Sequence, residues 1–264
     1  MILTLTGKLA GKTVRRLGFG TMRLTGPGIW GPPSDQRLAI DVLRKAVESG
    51  IQHIDTADAY GPDIAEPLIR AALSPYPDDL IIGTKGGFTR QGPGRWTPCG
   101  APAYLRQCVE MSLRRLNVEA LDLYYLHRID PAIPLADQLG ELERMREEGK
   151  IKALGMSKVD IAQLEEAISI APIAAVQNPF NLHEPRSAEV VAWCEREDVA
   201  FVPYAPLGAG KCLEPSQPLS GRAVTPQAAL KWLLEYSPIM FPIPGTSSIE
   251  HLMENLESDG YVKP

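Results

Sequence analysis

Short apolar runs alternate with longer amphipathic stretches along the whole chain. The runs Leu17–Gly20, His53–Asp55, Leu80–Lys85, Leu121–His127, Ile151–Ser157, Ala174–Gln177, Ala200–Tyr204 and Ile239–Pro242 are predicted strands. Most show no polar-out alternation, as parallel strands do when both faces of their sheet are covered. The stretches Asp35–Ser49, Asp63–Leu73, Ala101–Leu116, Leu135–Glu148, Asp160–Ile168, Ser187–Glu197 and Thr225–Tyr236 carry apolar residues at helical spacing. Ser34-Asp35 and Thr225-Pro226 are helix start signals, and Gly50 and Gly149 are stops.

Strands in strict alternation with helices leave two architectures, a doubly wound sheet or a closed (β/α)8 barrel. A dinucleotide-binding doubly wound sheet needs Gly-x-Gly-x-x-Gly between its first strand and first helix. Here Gly18-Phe19-Gly20-Thr21-Met22-Arg23 lacks the third glycine, and a Pro/Gly-rich loop follows instead of a helix. Gly210-Lys211-Cys212 likewise lacks the upstream glycine and the Ser/Thr of a P-loop. The chain is therefore expected to form one α/β domain over residues 1–264, a (β/α)8 TIM barrel. A β-hairpin around Gly7 and Gly11 is expected to plug its floor. The Pro/Gly-rich segments Gly26–Pro33, Gly86–Pro102 and Gly208–Arg222 are expected to be loop insertions, the first two on the catalytic face.

Composition acts mainly by exclusion. A net charge of −5 over 264 residues gives no basic surface for nucleic acid, and no apolar run approaches a membrane span. The first residues lack the features of a secretory signal. Cys99, Cys108, Cys194 and Cys212 are scattered, without disulfide or metal-ligand spacing. A soluble cytoplasmic protein with no metal is expected, acting as a monomer or weak homo-oligomer.

The chemistry lies at the strand ends. Asp55 closes the second strand, Tyr60 follows on the same loop, Lys85 closes the third strand and His127 the fourth. Taken singly, Asp55 reads as a turn residue, Lys85 as a solvated charge and His127 as a structural group. Together they converge on one mouth of a barrel. A lysine ammonium favours the phenolate of a nearby tyrosine, and a carboxylate holds that lysine charged and fixed. An imidazole opposite can polarise a carbonyl oxygen. Such a set is suited to giving a proton to a carbonyl oxygen as a hydride reaches its carbon.

These residues stand in motifs that resemble the aldo-keto reductase family. Asp55-Thr56-Ala57-Asp58-Ala59-Tyr60-Gly61, Thr84-Lys85-Gly86 and His127-Arg128-Ile129-Asp130-Pro131 carry the likeness. It continues through Gly155-Met156-Ser157, Val176-Gln177-Asn178-Pro179-Phe180, Tyr204-Ala205-Pro206-Leu207-Gly208 and Ile243-Pro244-Gly245-Thr246-Ser247-Ser248 to Glu254-Asn255, nearly the whole chain. The resemblance implies a barrel, NADPH as reductant and a small-molecule aldehyde or ketone as substrate. It implies Tyr60 as general acid, Lys85 and Asp55 as its activators, and His127 as the orienting group. Gly20, Thr21 and Met22 would lie beside the cofactor. Ser157 and Gln177 would hold the nicotinamide carboxamide, and Tyr204 would stack on the ring. Ala205, Pro206, Leu207 and Gly208 would follow the pyrophosphate, with Gly245, Thr246, Ser247, His251, Glu254 and Asn255 at the adenosine end. The similarity points to bacterial reductases of the branch that includes pyridoxal reductases, which makes pyridoxal a named candidate.

The chain departs from the family pattern in places. Lys158 replaces the frequent asparagine after Ser157, as a cation beside the nicotinamide or as a solvated surface charge. Gly245 and His251 stand where other branches often have a basic pair for the 2′-phosphate, which leaves NADH possible beside NADPH. The stretch from Lys211 to Val224 reads as loop where the family usually has another helix, with Lys211 a candidate phosphate contact. A chain ending soon after Asn255 is expected to lack a long C-terminal specificity loop. Trp30 and Trp96 are candidate substrate contacts, along with Tyr60 and His127. Arg23 and Arg128 read either as determinants for anionic substrates or as partners of Asp130 and other carboxylates. Two other readings stand beside the reductase: a cofactor-binding regulatory subunit of the same fold, and Schiff-base chemistry at Lys85.

Overall fold

A computed structural model describes residues 5–208 and 225–260. The chain opens with an antiparallel hairpin, β1 (Thr6–Leu9) and β2 (Lys12–Arg15). A seven-stranded parallel sheet follows, built from β3 (Phe19–Gly20), β4 (His53–Asp55), β5 (Ile81–Gly86), β8 (Leu123–Leu126), β9 (Leu154–Ser157), β10 (Ile173–Gln177) and β11 (Ala200–Phe201) in that spatial order. Helices α1 (Gln36–Glu48), α2 (Ala65–Leu73), α3 (Pro102–Leu116), α4 (Leu135–Glu147), α5 (Ile161–Ile170) and α6 (Ala188–Arg196) alternate with the strands. Two more, α7 (Pro226–Tyr236) and α8 (Ile249–Leu256), complete the outer layer.

The eighth position of the ring is held by hydrogen bonds without a regular strand. The amides of Phe201 and Phe241 donate to Ile239 and Phe201 carbonyls, both at 2.8 Å. On the other side, Gly18 and Gly20 donate to the carbonyls of Pro242 and Pro244 at 2.9 and 3.2 Å. Pro242 and Pro244 have no N–H to give, so the segment accepts from β3 but cannot ladder with it. The predicted strand Ile239–Pro242 thus appears as a single bridge, Phe201 to Met240, and the ring still closes into a (β/α)8 barrel. The closure is tight. A Cβ on Gly245 would lie 2.6 Å from the Gly20 carbonyl oxygen, and one on Gly20 would lie 2.9 Å from that of Ile243.

Apolar packing has two layers, as a barrel requires. Leu17, Val42, Leu105, Leu142 and Leu164 are among those that fill the space between strands and helices. Inside the ring, Ile81, Leu123, Tyr125, Ala175, Val202 and Phe241 pack together, and the hairpin closes the floor with Leu9 and Val14. Caps fix the helix starts. Asp35 accepts from Leu38 at α1, Asp160 forms a capping box with Gln163 at α5, and Thr225 accepts from Ala228 at α7.

One expected loop is ordered differently. Within Gly86–Pro102 lies a second hairpin, β6 (Phe88–Gly92) paired with β7 (Arg95–Pro98). Its turn is made by Gly92 and Gly94, both at positive φ, and β7 alternates exposed and half-buried residues. The insertion Gly26–Pro33 is irregular, as expected. Most of Gly208–Arg222, Lys211 included, lies outside the described residues.

Candidate active site

The strand ends bring Asp55, Tyr60, Lys85 and His127 together at the C-terminal mouth of the barrel. Lys85 is fully buried and its Nζ donates to Asp55 Oδ1 and the Thr56 carbonyl, both at 2.7 Å, and to the Tyr60 hydroxyl at 3.4 Å. Gln177 Nε2 donates to the other carboxylate oxygen of Asp55 at 2.7 Å. Asp55 is therefore held at both oxygens, which fixes where the ammonium sits. The His127 ring meets the Tyr60 ring edge-on, with centroids 6.1 Å apart.

Burial and charge set the protonation states. Burial would lower the Lys85 pKa, but Asp55 and Tyr60 beside it raise it by more, so the side chain stays an ammonium. Burial raises the Tyr60 pKa, and the opposing pull of Lys85 only moderates this, so the phenol keeps its proton. Burial, reinforced by the positive charges of Lys85, Arg128 and Arg90, holds His127 neutral, its pKa well below the usual range. The site thus pairs a protonated phenol with a neutral imidazole.

These groups lie in a cleft of about 890 Å³ that runs from Tyr60 and His127 past Ser157, Gln177 and Tyr204 to Gly245, His251, Glu254 and Asn255. Gly20, Met22, Lys158, Ala205, Pro206, Leu207 and Thr246 line it too. Lys158 is exposed with φ 56°, and reaches the cleft from its rim. Thr21, Gly208 and Ser247 are beside the cleft without lining it: Thr21 is fully buried and Ser247 is exposed. At the far end Ser248 caps α8, its Oγ accepting from the His251 amide at 3.3 Å.

The two tryptophans separate. Trp96, on β7, lines the cleft and meets the rings of Tyr60, His127 and Phe88 edge-on at 6.4, 6.3 and 5.4 Å. Trp30 is not among the lining residues; it packs 5.6 Å from the Arg90 guanidinium, which stacks on Trp96 at 3.6 Å. Arg90 also donates to the Ala59 carbonyl, tying the hairpin to the loop that carries Tyr60. Arg128 does not pair with Asp130, which instead accepts from the amides of Gly100 and Ala132.

Sequence reasoning missed Phe88, whose ring lies 4.7 Å from His127. The Gly92-Pro93-Gly94 turn with Phe88 and Trp96 on either side of it was the available signal. It also missed the support behind the Tyr60 loop. There the Asp58 amide donates to the Lys85 carbonyl at 3.1 Å, and the buried Glu66 accepts from Thr84 and Arg115, both at 2.6 Å. No group of His, Cys, Asp and Glu among the described residues could hold a metal ion.

The family model described as "Aldo/keto reductase family" matches residues 16–224, and the chain belongs to that family. It is 46% identical over 260 residues to a Schizosaccharomyces pombe protein called uncharacterized oxidoreductase C215.11c, covering 97% of this chain and 85% of that one. It is 41% identical to the pyridoxine 4-dehydrogenase of Escherichia coli, over 96% of this chain and 92% of that one. Among solved structures, an aldo/keto reductase from Klebsiella pneumoniae in complex with NADP and acetate superposes with a TM-score of 0.81 at 25% identity, covering 99% of this chain and 92% of that one. No helix among the described residues is long and apolar enough to cross a membrane.

Proposed function

We propose that this protein reduces an aldehyde or ketone to an alcohol with NADPH as hydride donor, Tyr60 giving the proton to the carbonyl oxygen. The carrying observation is the buried Lys85, shared between Asp55 at 2.7 Å and the Tyr60 hydroxyl at 3.4 Å on the floor of the cleft. The residues present fit a dinucleotide. Gly20 and Gly245 both line the cleft and offer it backbone with no side chain in the way. Ser157 Oγ accepts from Arg128 at 2.8 Å, which leaves its own proton to donate, and Gln177 keeps its amide oxygen free of the bond to Asp55. These two would hold the nicotinamide carboxamide, with Tyr204 against the ring and the start of α8 near the adenosine phosphate.

Bound in this way, NADPH supplies the hydride. The carbonyl oxygen is received between the Tyr60 hydroxyl and the neutral imidazole of His127. As negative charge grows on that oxygen, Tyr60 transfers its proton and the Lys85 ammonium stabilises the phenolate left behind. Asp55 keeps the ammonium in place. Phe88 and Trp96 keep water from the reacting carbon. The product is the alcohol, and Tyr60 regains its proton from solvent.

Pyridoxal is the first substrate to test, because the Escherichia coli relative is named a pyridoxine 4-dehydrogenase. NADPH is placed ahead of NADH, a reading supported by the NADP in the Klebsiella structure. The proposed centre calls for no group from a second subunit, and the chain is proposed to act as a monomer or weak homo-oligomer. The free thiols of Cys99, Cys108 and Cys194 support a reducing, cytoplasmic setting. The assay follows NADPH and NADH oxidation with pyridoxal, a nitrobenzaldehyde and other carbonyl compounds. Tyr60→Phe should lower kcat by roughly 10²–10⁴-fold while retaining NADPH binding. Full turnover in that variant would refute the assignment.

A further inference from the structure

We infer that Arg128 selects substrates that carry a carboxylate next to the reacting carbonyl, an inference that rests on the reductase reading above. Some half-buried arginines elsewhere on the barrel are matched to carboxylates, while Arg90 is spent on backbone carbonyls and the Trp96 ring. Arg106 pairs with Glu141 and Glu148, and Arg115 with Glu66 and Asp63. Arg128 has no carboxylate partner among the described residues, although it lines the cleft next to His127. Its Nη1 is fixed by two neutral acceptors, the His127 carbonyl at 2.6 Å and Ser157 Oγ at 2.8 Å. Its guanidinium carbon lies 5.7 Å from the centroids of both Phe88 and Tyr204.

A half-buried guanidinium without a counter-charge is costly, and a ligand carboxylate lowers that cost through paired N–H···O bonds. The position limits where such a carboxylate can be. The Phe88 ring has the His127 imidazole on one side, 4.7 Å away between centroids, and Arg128 within 5.7 Å. With Arg128 bonded to the His127 carbonyl and lining the same cleft, a group attached to a carbonyl that points at His127 and Tyr60 can be met by the guanidinium. Phe88 and Trp96 form an aromatic wall for the remainder. Aryl 2-oxo acids meet both conditions. Reduction would convert the ketone to a secondary alcohol, with hydride from NADPH, a proton from Tyr60, and the carboxylate unchanged throughout.

The probes are phenylglyoxylate and its neutral methyl ester, with NADPH. In the wild-type enzyme the acid should show a KM at least tenfold below that of the ester. In Arg128→Gln the ratio of kcat/KM for acid over ester should fall at least tenfold, chiefly through KM of the acid. Arg128→Lys, which keeps the cation, should recover part of that ratio. Taking the ratio cancels any change in steps common to the two substrates. NADPH affinity is measured separately by fluorescence titration. Equal KM values for acid and ester in the wild type would overturn the inference without any variant. So would an Arg128→Gln variant in which both substrates slow equally and NADPH binding weakens, because Arg128 would then serve the cofactor. If none of the carbonyl compounds supported NADPH oxidation, the reductase reading and this inference would fall together. Turnover of neutral aldehydes without preference for the acid would remove the inference alone.

Discussion

Lys85 keeps its charge where burial alone would remove it, because Asp55 lies 2.7 Å from its Nζ and is itself held by Gln177. The ammonium and the carboxylate are useful only as a pair, since an unpartnered buried charge is strongly destabilising. Lys85→Met should therefore harm both catalysis and folding. Asp55 left without its cation should cost about 3–5 kcal/mol of stability. The double variant Lys85→Met/Asp55→Leu should recover much of the stability and none of the activity. Urea unfolding beside the NADPH assay separates the two effects, and recovery of activity in the double variant would contradict the role given to Lys85. At this scale the candidate centre was legible because Asp55, Lys85 and His127 each end an apolar strand, with Tyr60 on the loop that follows the first of them. Arg128 was not legible in the same way. Asp130 is two residues away in sequence, but only the fold shows that this carboxylate is turned to the amides of Gly100 and Ala132. Trp30 and Trp96 looked alike for the same reason, and only pairing across the second hairpin brings one of them to the cleft.

Among the elements, the strands with long apolar runs were the easiest to read. β5 and β8 are covered on both faces, so nearly every side chain had to be apolar until the functional residue at the end. The β6–β7 hairpin was obscured because Gly86, Gly87, Gly92, Pro93, Gly94 and Gly100 make its surroundings look like loop. Its short strands have one side toward solvent, and their pairing depends on a turn that composition alone does not reveal. Close approach of elements was equally hidden. Gly245 read as a missing basic residue, whereas its neighbour in space is the Gly20 backbone. Gly245→Ala should lower stability by about 1–3 kcal/mol, because a carbonyl oxygen cannot move aside as a side chain can. It should also weaken NADPH binding. Gly140→Ala is the contrast: nothing lies within 4 Å of the added Cβ, and α4 should gain about 1 kcal/mol. Thermal denaturation of the two variants tests the difference, and equal behaviour would contradict the packing described for the seam.

Across the whole molecule, two buried groups make opposite contributions to how stability varies with pH. Burial, helped by Glu66, raises the Asp58 pKa to about 7, although Cys108 and Arg115 oppose it. An unfolded aspartate loses its proton near pH 4, so in the window from about 4 to 7 the folded protein binds the extra proton. That contribution to stability is present below pH 4 and is lost as pH rises through 7. Asp58→Asn, which mimics the protonated carboxyl, should gain on the wild type by about 1.4 kcal/mol per pH unit inside this window. His53 acts in the opposite sense. Burial lowers its pKa to about 4, so the unfolded chain binds the extra proton between about 4 and 6.5, and stability falls as the medium is acidified. Chemical denaturation of wild type and Asp58→Asn at a series of pH values checks the first effect. Parallel curves for the two proteins would show that Asp58 is ionised in the fold throughout.

The proline-bearing seam between β11 and β3 has a consequence for motion. Elsewhere the sheet is laddered strand to strand, but here Gly18 and Gly20 reach across to carbonyls of a segment that offers few amides in return. The ring should open locally at this seam at a lower free energy than anywhere else in the sheet. Hydrogen exchange at Gly18, Gly20 and Phe241 should then be faster than at Tyr124 and Tyr125. Gly20 and Gly245 lie on opposite sides of the seam and both border the cleft, so a dinucleotide lying across the pair would act as a clasp. Adding NADPH should slow exchange at the seam more than at β5 or β8, which makes retention of the cofactor and integrity of the barrel a single property of this molecule.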